Sequence, residues 1–115
     1  MGYHRKVAIV VTSFNSKYLL PAHMKARELL GDLVSEQVDG ITNGEISFYV
    51  APDGSKAGWP EANMASQRRA ELLLHFESLL EQGCYIHWVE VVFGTDDHIS
   101  DPARVLSSSD PKVKP

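Results

Sequence analysis

The dipeptide Asn43-Gly44 is the feature that most constrains the fold of this chain. A two-residue hairpin turn of type I′ needs positive φ at both central residues, and Asn followed by Gly adopts it readily. The pair predicts a hairpin that joins a strand at Val38–Thr42 to a second strand at Glu45–Ala51. In the second strand apolar and polar residues alternate, which is typical of a strand with one buried face.

A strand and a helix are predicted before this hairpin. Val7 to Val11 is a continuous apolar run, mostly β-branched, as in a strand that is buried on both faces or nearly so. Apolar residues then recur at helical spacing from Ala22 to Leu33. Pro21 fits the first turn of this helix, and Gly31 is its natural end. The candidates for its N-cap are Ser13, Asn15 and Ser16.

A second helix and a last strand are predicted after the hairpin. Pro60 and Glu61 suit a first helical turn, because proline lacks an N–H and glutamate favours the positive end of the helix dipole. Gln82-Gly83 ends this helix, and Tyr85 to Phe93 reads as a strand. The apolar stripe of the helix comprises Ala65, Leu72, Leu73, Phe76, Leu79 and Leu80.

The resulting order is β-α-β-β-α-β. This order predicts a ferredoxin-like α+β two-layer sandwich, with two helices on one face of an antiparallel sheet. A three-stranded α+β layer is the alternative, should Val38–Thr42 be a loop. With 115 residues the chain is expected to form one domain over residues 1–106. Residues 107–115 are rich in Ser, Pro and Lys, and we expect a disordered tail there.

Composition narrows the class of protein. A hydrophobic fraction of 43% and a charged fraction of 23% are ordinary for a soluble chain. The net charge of -4 disfavours a nucleic-acid partner. Cys84 is the only cysteine, which excludes an internal disulfide and a cysteine-based metal site. The apolar run near the N-terminus is too short for a signal peptide or a membrane span, so we expect a cytoplasmic protein with no membrane association.

Polar residues are predicted to converge at one end of the sheet. In this topology the end of the third strand, the start of the first and the end of the last lie together. A mixed polar site there suits a small polar ligand, a divalent ion or a phosphate, although turns also collect such residues for backbone reasons. His98, Arg68 and Arg69 could contribute. The candidate ligand-binding residues are Arg5, Asp53, Ser55, Lys56, Asp96 and Asp97.

The other face of the sheet is a candidate interface. If Val89, Val91 and Phe93 face the helices, the alternate residues face outward and form an apolar patch too large to leave exposed. That patch predicts a homodimer or a protein partner, or stacking of single-stranded RNA bases. In the remaining interpretation the two faces are reversed and Trp88 is core. The candidate interface residues are Tyr49, Ile86, Trp88, Glu90 and Val92.

No catalytic constellation emerges from the sequence. The five histidines are not spaced as a helical metal site, and none neighbours a plausible nucleophile in the chain. We therefore predict no catalytic residues, no metal site and no cofactor.

A further pattern runs through most of the chain. It comprises Asn43-Gly44, Ser47-Phe48, the segment from Ala51 to Lys56, Gly58-Trp59 and Trp88-Val89-Glu90-Val91. This pattern resembles small uncharacterised proteins of bacteria and their phages. The resemblance carries no activity, and it implies a compact module from a bacterial or phage setting.

The predicted function is a non-catalytic small module that binds itself or a protein partner. A small-molecule or divalent-metal-dependent enzyme that uses Asp53, Lys56, Asp96 and Asp97 is the alternative. Binding of single-stranded RNA on the sheet face is a further alternative.

Overall fold

Two helices pack against one face of a five-stranded antiparallel sheet. The computed structural model describes residues 6–55 and 58–93, and the backbone of residues 104–107. The helices are α1 (Ser16–Leu30) and α2 (Pro60–Glu81), and a short 3₁₀ turn, Gly31–Leu33, follows α1. The strands are β1 (Lys6–Ser13), β2 (Val38–Asp39), β3 (Ile46–Val50), β4 (His87–Phe93) and β5 (Arg104–Ser107). The predicted α+β class with a largely antiparallel sheet is confirmed.

Strand β1 lies at the centre of the sheet, whose order is β2-β3-β1-β4-β5. It pairs antiparallel with β3 on one side and with β4 on the other. Ile9 lies opposite Val50 of β3 and Glu90 of β4, so these three residues share one face. Because side chains alternate along a strand, this register fixes the face of every residue in the three long strands.

The number of strands differs from the four that were predicted. Strand β5 pairs with β4 and forms the edge of the sheet, with Val105 opposite Val91. It contains only four residues and follows a segment rich in Asp, Ser and Pro, so no periodic pattern marks it in the sequence. Strand β5 ends at Ser107, where the tail was predicted to begin, and residues 108–115 lie outside the described part of the chain.

The Asn43-Gly44 turn forms as predicted. Both residues have positive φ, 60° and 69°, and the Glu45 N–H donates to the Thr42 carbonyl at 3.2 Å. Strand β2 is shorter than predicted, since only Val38–Asp39 pairs with β3. A Cβ atom on Gly44 would lie 2.8 Å from the Phe14 carbonyl oxygen, so glycine is needed here for a close approach as well as for its φ.

The two ends of α1 are formed by residues that the sequence analysis named, whereas Pro21 does not lie where it was predicted. Asn15 is the N-cap, and its side chain accepts a hydrogen bond from the Lys17 N–H at 2.9 Å. Gly31, with φ of 54°, ends the helix. Pro21 lies inside α1 rather than in its first turn, so the prediction of its place was wrong. Proline at this position removes one backbone hydrogen bond from the helix.

Helix α2 begins at Pro60 as predicted, with Trp59 as an N-cap residue that makes no side-chain capping bond. Its buried positions recur at helical spacing and form one stripe. They are Ala65, Arg69, Leu72, Phe76 and Leu79.

The core lies between the helices and one face of the sheet. Ile9 and Val11 of β1 are fully buried, as are Leu19 of α1 and Leu72 and Phe76 of α2. All five belong to one cluster of buried apolar residues, so both helices cover the same face. The strand residues of that cluster are Ile9, Val11, Ile46, Phe48, Val50 and Trp88.

The outward placement predicted for four candidate interface residues was wrong. Trp88 lies opposite Val11 in the sheet, and this register puts it beneath the helices. Its ring contacts the Phe76 ring, with centroids 6.2 Å apart. The alternative interpretation, in which the two faces of the sheet are reversed and Trp88 is core, is therefore correct for β4 and for Ile86, which precedes β4. The residues that are buried instead of exposed are Ile86, Trp88, Glu90 and Val92.

The stripe of α2 allows a matched test of the core. Leu72 is fully buried, whereas Leu74, two residues later, is largely exposed. Leu72→Ala should lower the free energy of unfolding by about 2–5 kcal/mol, because it removes buried methyl groups and leaves a cavity. Leu74→Ala should change it by less than about 0.5 kcal/mol. Urea unfolding followed by circular dichroism measures both variants, and equal effects would contradict this core.

Candidate functional site

Three strand ends meet at one end of the sheet. Lys6 pairs with Phe93, and Ile9 pairs with Val50, so the start of β1 lies beside the ends of β3 and β4. The loop between β3 and α2 leaves the sheet at this end. Several predicted ligand-binding residues lie outside the described part of the chain, namely Arg5, Lys56, Asp96 and Asp97. Asp53 and Ser55 can be placed.

Asp53 organises the loop between β3 and α2. One carboxylate oxygen, Oδ2, accepts hydrogen bonds from the Ser55 N–H at 3.3 Å and from the Ser55 hydroxyl at 2.5 Å. Between them, Gly54 has a φ of 87°, a value that glycine adopts without strain. The turn-making role considered from the sequence therefore accounts for part of this polar segment.

The other oxygen of Asp53 faces a buried arginine. Arg69 projects from α2 and is only 7% exposed. Its Nη1 lies 3.6 Å from Asp53 Oδ1, and its Nη2 donates to the Ser66 hydroxyl at 3.4 Å. A buried guanidinium is costly unless it is paired, so this contact ties the loop to the helix.

A cleft opens beside this ion pair. Its volume is about 240 Å³, and it lies between the loop, the first half of α2 and the start of β1. Asn63, Ser66 and Arg69 follow one another at intervals of three residues and so lie along one side of the helix. The lining residues are Val7, Asp53, Ser55, Gly58, Ala62, Asn63, Ser66 and Arg69. We refer to this site as the polar cleft.

A second candidate site is the sheet face that α1 and α2 do not cover. Val10, Tyr49 and Phe93 are 39%, 42% and 39% exposed on it. Thr12 and Ser47 lie on the same face and share a hydrogen bond of 2.7 Å between their hydroxyls. This surface, the open face, comprises Val10, Thr12, Ser47, Tyr49, Val89, Val91 and Phe93, together with Ala8, which shares their side of the sheet but is buried.

The sequence interpretation found these two sites only in part. It paired Asp53 with the polar end and named Arg69 as a possible contributor, and the structure brings the two residues together. It missed Asn63 and Ser66. A sequence signal was present for Arg69 alone, because Arg69 stands in the apolar stripe of α2, between Ala65 and Leu72, where a charge must be buried.

Metal ligands do not gather within residues 6–55 and 58–93. No group of three or more His, Cys, Asp or Glu side chains there could hold a metal ion. His23, for example, donates from Nε2 to the Ser35 carbonyl at 2.8 Å and packs against the Phe48 ring. Its role is therefore to fasten the segment after α1 to the helix.

Membrane-spanning character was also considered for the helices. Neither described helix is both long enough and apolar enough to cross a bilayer.

Comparison with protein-family models, with curated proteins and with solved structures finds no match to this chain.

The contact between Asp53 and Arg69 can be measured with a double-mutant cycle. Asp53→Asn should destabilise the protein by about 1–3 kcal/mol, because it leaves the buried guanidinium with a neutral partner. In an Arg69→Met background the same change should cost less, and the difference is the coupling energy. Asp39→Asn, at an exposed position of β2, is the control. Equal losses in both backgrounds would show that the two side chains do not interact.

Proposed function

We propose that the protein is a non-catalytic module that forms a homodimer through its open face. The observation that carries the proposal is the exposure of Val10 and Tyr49, which pair across β1 and β3 at the centre of that face, with Phe93 also exposed at its end beside Lys6. Among the described residues no helix lies over it, since both helices pack on the opposite side. Exposed apolar side chains on a sheet face without helices are typical of an interface.

The charges of the open face favour a second copy of the chain as the partner. Its described residues are apolar or hydroxyl-bearing, with Lys6 and His87 only at its ends. Two such faces can therefore meet without like-charge repulsion at their centre. An interface between two copies related by a two-fold axis uses the same patch twice, which an uncharged face permits.

The size of the face is also suitable. A sheet of five strands about 4.8 Å apart is roughly 20 Å wide, and its long strands extend for roughly 20 Å. The projected area is then roughly 400 Å², which is about half of the 800 Å² that a standard interface buries from each partner. Side-chain relief makes the accessible area larger than the projected area, so contact over the whole face would give an interface at the small end of the range for specific dimers.

We extend the proposal to the fold. The elements from β1 to β4 follow the β-α-β-β-α-β order of a ferredoxin-like unit, and β5 is then an addition at its edge. Two-layer units of this kind leave one sheet face without helices, and a dimer would cover it.

Single-stranded RNA is a weaker candidate for the same face. Base stacking needs aromatic side chains, and cations are needed for the phosphates. The central strand offers Ala8, Val10 and Thr12 on this face, and none of them is aromatic. Tyr49 and Phe93 lie on β3 and β4, on either side of that strand.

The oligomeric state tests the proposal. We expect the wild-type protein to sediment as a dimer, and Val10→Lys or Tyr49→Lys to sediment as a monomer. A buried lysine on both sides of a two-fold interface should weaken association by at least about 2 kcal/mol, or roughly 30-fold in Kd. Analytical ultracentrifugation over a range of concentrations gives this Kd.

Leu20→Lys is the matched control, because Leu20 is similarly exposed but lies on α1, away from the open face. This variant should remain dimeric. Thermal unfolding of each variant checks that the fold persists. A monomeric wild-type protein, or dissociation by Leu20→Lys alone, would refute the dimer through the open face.

A further inference from the structure

Within the described part of the chain, Arg69 is incompletely paired for a buried guanidinium. The side chain carries five N–H donors. The described residues give it one hydrogen bond, a long one of 3.4 Å to Ser66, and one ion-pair contact of 3.6 Å to Asp53. Neither contact has the short, parallel geometry of a bidentate arginine–carboxylate pair. The remaining donors belong to a side chain that lines the polar cleft.

Two other polar groups of the cleft also offer donors. Ser66 already accepts from Arg69, so its own hydroxyl hydrogen is free to point elsewhere. Asn63, one turn earlier on α2, adds an amide NH₂ group at an exposed position. The positive end of the α2 dipole lies at the same end of the helix.

The carboxylate oxygens of the cleft are already engaged. Asp53 Oδ2 accepts two hydrogen bonds from Ser55, and Oδ1 faces Arg69. A cationic ligand would have to compete with these contacts. An oxyanion, in contrast, would supply acceptors for the N–H and O–H donors of Arg69, Ser66 and Asn63.

We propose that the polar cleft binds a small organic oxyanion, either a carboxylate or a phosphate monoester, through Arg69, Ser66 and Asn63. A cleft of about 240 Å³ has room for a small metabolite-sized group but not for a polymer. The negative charge of Asp53 opposes the ligand, so the expected affinity is modest, with Kd on the order of millimolar for inorganic phosphate. This site is separate from the open face and does not depend on dimer formation.

Titration with inorganic phosphate, with acetate and with methylammonium tests the proposal. Two-dimensional ¹H–¹⁵N NMR spectra should show saturable shifts at Asn63, Ser66 and Arg69 with one or both anions. The comparison of phosphate with acetate distinguishes a phosphate ligand from a carboxylate ligand. Saturable binding of methylammonium without binding of either anion would overturn the assignment, as would the absence of saturable shifts for all three.

Two neighbouring arginines supply the matched control. Arg69→Met should weaken anion binding at least tenfold, whereas Arg68→Met, with the same loss of charge at an exposed position, should change it less than twofold. Equal losses would indicate a general charge effect and would refute the site.

Asn63→Asp keeps the proposal testable if Arg69→Met fails to fold. Asn63 is exposed, so this change should leave the fold intact while placing a negative charge at the mouth of the cleft. We expect at least a tenfold loss of anion affinity. Unchanged affinity in this variant would overturn the proposal.

Discussion

The register of the central strand β1 is the constraint on which the rest of the structure depends. By pairing with β3 and β4 together, β1 puts Ile9 and Val11 on the same face as Phe48 and Trp88. Burial of that face under α1 and α2 provides the hydrophobic stabilisation of the domain. A shift of one residue would expose all of these side chains at once, so the register is strongly specified.

Both proposed sites follow from this arrangement. Since the two helices occupy one side of the sheet, the opposite side is left with exposed apolar residues, of which Val10 and Tyr49 are central. The N-terminal half of α2 contributes no residue to the cluster of buried apolar side chains. Arg69 occupies a buried position in this half of the helix. A charge in that position must find partners, which explains why Asp53 and Ser66 lie beside it. The open face and the polar cleft are thus two outcomes of one packing geometry.

Local signals were reliable wherever neighbouring residues decide the structure. The turn at Asn43-Gly44, the Asn15 cap and the helix start at Pro60 depend on backbone geometry that the residues themselves favour. Strand β4 was harder, because apolar residues occupy both of its faces and alternation alone gives no preferred side. Of the candidate site, Asp53 and Arg69 could be anticipated. Ser66 could not, since a serine on a helix carries no signal until its neighbours are known.

The sequence by itself determined the α+β class, the turn between β2 and β3, the end of α1 at Gly31 and both ends of α2, and the turn and helix ends depend on contacts within a few residues. Only the tertiary structure decided that Trp88 is buried and that β5 extends the sheet. The pairing partner of a strand settles such questions, and that partner is distant in the chain. The tertiary structure also decided which charged side chains meet. The contact between Asp53 and Arg69 joins a loop to a helix, and it depends on the packing of the whole domain.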